Sequence, residues 1–388
     1  MKSSAQLALI GAGYWGKNLA RNFHALGALH TLCDASEATL ASYGADYAGV
    51  AKTRDPGAVL ADPEITQVAV AAPAALHYRI VRQALEAGKD VFVEKPLCLD
   101  VSEAQALIAL AAERGRILMV GHLLQYHPCV RHIQELVASG QLGKLLYITS
   151  NRLNLGKIRS EENALWSFAP HDISVILSLA QNRLPDTIIC TGHASITQGV
   201  ADTTLTALSF GEIKAHILVS WLNPFKEQKL TVVGSEGMLV FDDTKPWAEK
   251  LTLYRNYLTW NDGATPVPRK AAGELLAVPE EEPLKQECRH FLECCVNRTA
   301  PRTDGSEGLR VLQVLDGAQR SLDRHGEIIR PQQGPAAPKP AFFAHPTAVV
   351  DPKAQVGAGT KVWHFSHVMA GAEVGENCNL GQNVVISP

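Results

Sequence analysis

Residues 6–10, QLALI, form a short apolar run that stops at Gly11, the pattern of a strand buried on both faces. A helical spacing follows through Leu19, Phe23 and Leu26 and ends at Gly27. ALHTLCD predicts a second strand ending at Asp34, TQVAVAAP another, and HYRIVRQALEAG a helix closed by Gly88. DVFVEKP, SEAQALIALAAERG and RILMVGH continue as strand, helix and strand. This alternation predicts an α/β domain with a doubly wound parallel sheet over residues 1–121.

From Tyr147 the pattern changes. YITSNRLNL, DTIICTGHASI, DTTLTALSF, EIKAHILVSW, QKLTVVGSEGMLVFDD and KLTLYRNYL succeed one another as strands joined by short polar turns. One helix, begun by Pro170 and His171 near HDISVILSLA, interrupts them. The expectation over 122–330 is an α+β domain built on a large, mainly antiparallel sheet. Helices at PLKQECRHFLECCVNR and SEGLRVLQVLDGAQRSLDRH are expected to pack back on that sheet. PQQGPAAPKP marks residues 331–341 as a proline-rich extended linker. Over 342–388 apolar residues recur every six positions, at Val350, Val356, Val362, Val368, Val374, Leu380 and Ile386. That period is the hexapeptide repeat of a parallel β-helix. A solenoid of about two coils buries little core of its own.

Composition narrows the function classes. The chain has 388 residues, is 46% hydrophobic and carries a net charge of −3, without the basic footprint of a nucleic-acid or membrane partner. Its eight cysteines lack metal-ligand spacing, and Cys294 and Cys295 are adjacent, so no metal is expected and reduced thiols are. The sequence shows neither a signal peptide nor an apolar run long enough to span a bilayer, so the expected location is cytoplasmic.

Gly11-Ala12-Gly13-Tyr14-Trp15-Gly16 follows a strand and opens a helix, and Asp34 ends the next strand 23 residues after Gly11. In that setting GxGxxG is a dinucleotide fingerprint of a Rossmann domain. Gly11 permits the turn, Gly13 lets the pyrophosphate approach, and Gly16 lets helix and strand close. The phosphates then meet unpaired N–H groups at the helix N-terminus. Asp34 accepts from the ribose hydroxyls and repels a 2′-phosphate, which selects NAD. Glu94-Lys95-Pro96 ends a strand on the carboxyl edge of the sheet, where such folds bind ligands; Pro96 is a candidate cis residue. Lys95 there can hydrogen-bond a hydroxyl and, beside a positive ring, hold a lowered pKa. His171 is either a second proton-transfer group or a core residue.

GAGYWGKN, AAPAALH, VEKP, GHLLQYHP and PHDIS, in that order, resemble the glucose–fructose oxidoreductase, inositol dehydrogenase and rhizopine-catabolism (Gfo/Idh/MocA) family over residues 5–330. The resemblance implies that Lys95 contacts the hydroxyl being oxidised, with His171 as its acid–base partner. It also implies that Pro73 and His77 line the nicotinamide ribose, within a cofactor set of Gly11, Gly13, Tyr14, Trp15, Gly16, Asp34, Glu94 and Lys95. Many members carry an aspartate where this chain has Ser167 and an arginine where it has Gln125. Those departures point to Lys95 with His171 as the proton pathway, with His122 and Tyr126 as alternative donors.

Residues 342–388 resemble the first coils of β-helix acetyltransferases that act on amino groups of UDP-linked sugars. NRLNLGKIRSEENALWSFAPHD resembles the nucleotide-sugar branch of the dehydrogenase family. The implied substrate is a UDP-N-acetylhexosamine, UDP-N-acetylglucosamine or its uronic acid, oxidised at the 3-hydroxyl. Lys157 and Arg159 are placed at its charged groups and Trp166 beside it. Expected partners are that UDP-sugar, 2-oxoglutarate as hydride acceptor, a pathway aminotransferase and further copies of the chain. The tail reads as an oligomerising remnant, with His364 and His367 as relics of a transferase site. Two other readings stay open: an inositol or free-sugar dehydrogenase, and a non-catalytic NAD-binding sensor or scaffold.

Overall fold

The computed structural model describes residues 6–156, 158–255, 257–261, 265–331, 342–345, 347–351 and 353–388. They fall into two compact units, residues 1–331 and 332–388. Lys157 and the linker residues 332–341 lie outside the described residues.

The first unit opens with a six-stranded parallel sheet: β1 (Leu7–Ile10), β2 (Leu29–Cys33), β3 (Ala51–Thr53), β4 (Gln67–Val70), β5 (Asp90–Glu94) and β6 (Leu118–Gly121), in the order β3-β2-β1-β4-β5-β6. Helices α1 (Gly16–Ala25), α2 (Glu37–Ala41), α3 (Pro56–Ala61), α4 (His77–Glu86) and α5 (Val101–Glu113) provide most of the crossovers. The central strands are mostly apolar because both faces are covered, and β1, β5 and β6 are buried at every position. The weakly apolar β3, with no buried residue, gave no readable signal in the sequence.

A further helix, α6 (Pro128–Ala138), was not expected; His127 caps it by accepting from the Cys129 N–H at 3.1 Å, and Pro128 takes the first turn. Next come β7 (Leu145–Leu153) and α7 (Ala164–Leu179). The α7 helix starts six residues before the Pro170 expected to begin it, because the Asn163 side chain accepts from the Trp166 N–H at 3.1 Å and caps it there. Pro170 therefore sits inside the helix and removes one of its backbone hydrogen bonds.

Then follow β8 (Thr187–His193), β9 (Thr203–Phe210), β10 (Ile213–Ser220), β11 (Glu227–Gly234), β12 (Met238–Asp242), β13 (Leu251–Tyr254), a hairpin of β14 (Tyr257–Asn261) and β15 (Thr265–Arg269), and β16 (Glu274–Leu275). The large sheet runs β16-β13-β12-β11-β7-β10-β9-β8. Its neighbours pair antiparallel except β7 with β10, which are parallel, so it is mixed.

The last two helices of this unit, α8 (Pro283–Asn297) and α9 (Gly305–Asp323), correct an expectation. Instead of covering the large sheet, α8 packs on α1 and on the 3-10 turn Leu123–Tyr126. Phe291 of α8 meets Phe23 and Phe92 edge to face, with ring centroids 6.4 and 5.8 Å away. Helix α9 does touch β8 and α7, and it also packs on α5 and β6. Both helices thus return to the first domain and brace the edge where β5 and β6 end.

The second unit consists of parallel coils. Phe342–Ala344, Thr360–Val362 and Asn379–Leu380 stack on one face, Val349–Val350, His367–Val368 and Val385–Ile386 on a second, and Gln355–Val356 with Glu373–Val374 on a third. Val362, Val368 and Ala372 are buried, surrounded by partly buried Val350, Val356, Val374, Leu380 and Ile386. The six-residue spacing works because each repeat sends one apolar side chain inward beneath its counterpart in the next coil.

Candidate functional site

The glycine loop after β1 is held by backbone sterics. Gly11 has φ of +91°, and a Cβ there would lie 2.6 Å from the Ala71 and Ala72 backbone. A Cβ on Gly16 would lie 1.9 Å from the Gly11 carbonyl oxygen, so only glycine lets α1 start against the loop. Gly13, by contrast, faces open space, as the approach of a ligand's pyrophosphate requires. The Asp34 carboxylate accepts from the Ala12 N–H at 2.8 Å and the Ser36 N–H at 2.9 Å, which fixes it beside the loop. The Tyr43 hydroxyl donates to the Ala12 carbonyl at 2.7 Å and closes the loop from below. Tyr14 is exposed beside Lys17, its ring 5.5 Å from the ammonium. The Trp15 indole N–H donates to Glu94, joining the loop to the end of β5. These residues fit a dinucleotide: open space above Gly13, N–H groups at a helix start, and a fixed carboxylate at the ribose position.

At the other end of the edge, the Lys95–Pro96 bond is cis. Glu94 is buried, and burial raises its carboxyl to about 7 against the lowering bond from Trp15. Room for that carboxyl comes from Gly121 on the neighbouring strand, where a Cβ would lie 3.1 Å from the nearest Glu94 oxygen. The half-buried Lys95 donates from Nζ to the Ser167 carbonyl on α7 at 2.9 Å. Burial lowers its pKa, opposed mainly by Glu162 and Glu94. One turn further along α7, His171 has its Nδ1 sealed from solvent and without a protein partner. Burial, then Lys95, Arg152 and His122, hold its pKa well below the usual value, so the ring is neutral. An orphaned buried ring nitrogen beside a desolvated lysine is a pair of groups short of one hydrogen-bonding ligand.

The other expected residues sort by their bonds. His77 has Nδ1 2.7 Å from the Pro96 carbonyl and Nε2 2.8 Å from the Ala72 carbonyl and is 1% exposed. It clamps the Lys95 turn to the end of β4 and offers no free nitrogen to a nicotinamide ribose, while Pro73 stands exposed beside it. Tyr126 is withdrawn from the site as well: its buried hydroxyl is 2.9 Å from His290 Nδ1 and 3.3 Å from Thr303 Oγ1. The Trp166 indole N–H donates to Gln319 on α9 at 3.0 Å, so that ring wedges between helices. Arg159 pairs with Glu162 at 2.9 Å, near enough to Lys95 for both charges to act on it. His122 is buried at the end of β6 with Nδ1 bonded to Glu307.

Three functional groups escaped the sequence reading. Arg152 on β7 donates from Nε and a terminal nitrogen to Asp172 at 2.9 and 3.0 Å, a buried bidentate pair behind His171. Their spacing of 20 residues carries no motif. Glu307 follows Asp304 by three, a spacing that reads as a helix cap, and Asp304 does accept from the Glu307 N–H at 2.8 Å. Its side chain instead reaches His122, since Gly305 and Gly308 let the first turn of α9 press against Leu118 and Val120 of β6. Among the described residues no group of three or more His, Cys, Asp or Glu is placed to hold a metal, and no helix is long and apolar enough to cross a membrane.

Known proteins share this architecture. Residues 5–122 match the oxidoreductase family described as having an NAD-binding Rossmann fold, 130–240 the GFO/IDH/MocA C-terminal domain, and 353–388 the bacterial transferase hexapeptide repeat. A putative oxidoreductase from Magnetospirillum magnetotacticum superposes with a TM-score of 0.70 at 33% identity, over 81% of this chain and 99% of that one. UDP-N-acetylglucosamine 3-dehydrogenase of Acidithiobacillus ferrooxidans is 28% identical over 55% of this chain and 61% of its own length. Its crystal structure superposes with a TM-score of 0.71 over 82% of this chain. The NAD-dependent scyllo-inositol 2-dehydrogenase of Bacillus subtilis is 26% identical over 48% of this chain and 58% of that enzyme. The chain thus spans about six-tenths of the length of these two curated relatives. With a glycine loop built for NAD, a mixed-sheet second domain and both family matches in sequence order, the chain belongs to the Gfo/Idh/MocA family of oxidoreductases.

Proposed function

We propose that the chain oxidises the 3-hydroxyl of a UDP-N-acetylhexosamine, UDP-N-acetylglucosamine or its uronic acid, to the 3-keto sugar. The observation that carries this reading is the pairing of Lys95, desolvated and bonded among the described residues only to a carbonyl of α7, with the orphaned Nδ1 of His171. A secondary alcohol satisfies both: Lys95 donates to its oxygen, and the neutral His171 completes the hydrogen bonds around it. Gly11, Gly13, Gly16 and Asp34 hold NAD, which supplies the hydride acceptor. The Trp15–Glu94 bond and the His77 clamp fix the Lys95 turn relative to that loop, and alignment of this kind accounts for much of the rate. The similarity to UDP-N-acetylglucosamine 3-dehydrogenase favours a nucleotide sugar.

Arg159, with Lys157 nearby in sequence, supplies cations for a diphosphate or a uronate. The product then suits amination by an aminotransferase in the synthesis of a lipid A or surface-polysaccharide sugar. NADH is recycled by 2-oxoglutarate, and the chain works in the cytoplasm as a homo-oligomer. A second reading, oxidation of a free inositol, is favoured by the similarity to scyllo-inositol 2-dehydrogenase.

The test is mass spectrometry after incubation with NAD, 2-oxoglutarate and equal amounts of UDP-N-acetylglucosamine and its uronic acid. Loss of two hydrogens from one of them supports the proposal and names the substrate. If both stay unchanged while myo- or scyllo-inositol is oxidised, the polyol reading replaces it.

A further inference from the structure

We infer that the proton leaving the substrate hydroxyl comes to rest on His122, held by Glu307 as a buried carboxylate–imidazole dyad. The inference rests on reading this edge as the site of alcohol oxidation. The β5–β6 register pairs Glu94 with Gly121, so Lys95 and His122 are the next residues on adjacent strand ends, about 5 Å apart along the sheet. His122 Nδ1 lies 2.5 Å from one Glu307 oxygen, and Ser174 donates to the other at 2.6 Å. That commits Nδ1 to Glu307 and leaves Nε2 as the ring nitrogen to take a proton. Glu307 is brought there by a bridge between Met119 and Asp304, which lays the start of α9 along β6.

The alternative acceptor is less suited to hold a positive charge. Among the described residues no carboxylate bonds the His171 ring, and one turn before it Ser167 offers only a carbonyl that accepts from Lys95. The nearby carboxylate of Asp172 is taken by Arg152 and Ser150. A proton on His171 would sit close to Lys95 and Arg152 with only burial around it. His122 has its counter-charge in place, in the arrangement by which a carboxylate orients an imidazole and stabilises the imidazolium. Ser174 lies three residues after His171 on α7, so the same carboxylate ties the helix that carries His171 to the ring that takes the proton.

The step balances simply. The carbinol C–H pair leaves as hydride to the oxidised nicotinamide, the O–H bond breaks, its electron pair closes the carbonyl, and Nε2 of His122 gains the proton. The titratable groups that surround His122 are Glu307 on α9, Glu94 at the end of β5, Lys95 just beyond it by the strand register, and His171 on α7, with Glu287 of α8 acting on Glu307 and Glu94. Of these only Glu307 bonds to the ring.

The experiment is imidazole NMR of the NAD-bound protein across pH, with the His122 signal identified by its loss in His122→Gln. In Glu307→Gln the geometry of the bond is kept and its charge removed, so the His122 midpoint falls. In turnover assays Glu307→Gln lowers kcat about 10- to 100-fold and moves the acidic limb of its pH profile downward, with NAD affinity unchanged. His122→Gln loses that limb. A His122 midpoint unmoved by Glu307→Gln, or a His122→Gln enzyme with its limb intact and kcat within about threefold of wild type, overturns the inference. Because the NMR midpoint needs no sugar, a wild type inactive on UDP-sugars refutes the proposed substrate while leaving the dyad measurable.

Discussion

The two ends of the ligand-facing sheet edge are built by different means. The glycine loop between β1 and α1 is local: Gly11, Gly16 and Asp34 lie within 24 residues, the glycines specified by backbone sterics and the aspartate by two backbone N–H bonds. The Lys95 end is assembled from afar, with His122, His171 and Glu307 drawn from β6, α7 and α9. Local backbone geometry tolerates almost no substitution and is easy to read.

The largest effect separating the two ends is expected from Lys95→Ala. It removes the ammonium bonded at the Ser167 carbonyl of α7, so kcat falls by about 10³-fold or more, while NAD affinity, measured by fluorescence quenching, stays within about twofold. Gly16→Ala breaks the other end: a Cβ 1.9 Å from the Gly11 oxygen displaces the loop. NAD binding by calorimetry weakens by about 100-fold, and adding sugar does not restore it.

Glu94→Gln sharpens the contrast through pH. Folding raises the Glu94 carboxyl from 4.5 to about 7, so its contribution is fully favourable below 4.5 and is lost as pH rises through about 7. Melting curves should show wild type losing on the order of 3 kcal/mol relative to Glu94→Gln between pH 4 and 8. The smallest effect is a gain. Glu287 on α8 is fully buried with both oxygens unpartnered, and burial holds its pKa well above the usual range. Glu287→Met should raise stability by about 1–3 kcal/mol in denaturant titration, with little change in NAD affinity.

What could be read in the sequence follows the same division. Gly11, Gly16, Asp34 and the alternation that carries β1, β2, β4, β5 and β6 were legible because each depends on neighbours in the chain. The hexapeptide period of the tail was legible for the same reason. Lys95 and His171 came through resemblance, since a lysine at a strand end or a histidine on a helix says little alone. Glu307 was hidden behind a spacing that fits a cap, and its role depends on two glycines letting α9 reach β6. The clamp made by His77 and the destination of α8 were equally unreadable, because both are decided by contacts many elements away.

The central claim is hydride transfer from carbon 3 of a UDP-N-acetylhexosamine at the Lys95 edge. Turnover of UDP-N-acetylglucosamine, or its uronic acid, deuterated only at carbon 3 tests it most directly, with the NADH recovered and analysed by mass spectrometry. The account predicts NADH one mass unit heavier, with a slower single turnover than the unlabelled sugar gives, and neither signal in Lys95→Ala. Unlabelled NADH formed from both deuterated sugars would contradict it, because the hydride would then have left another carbon.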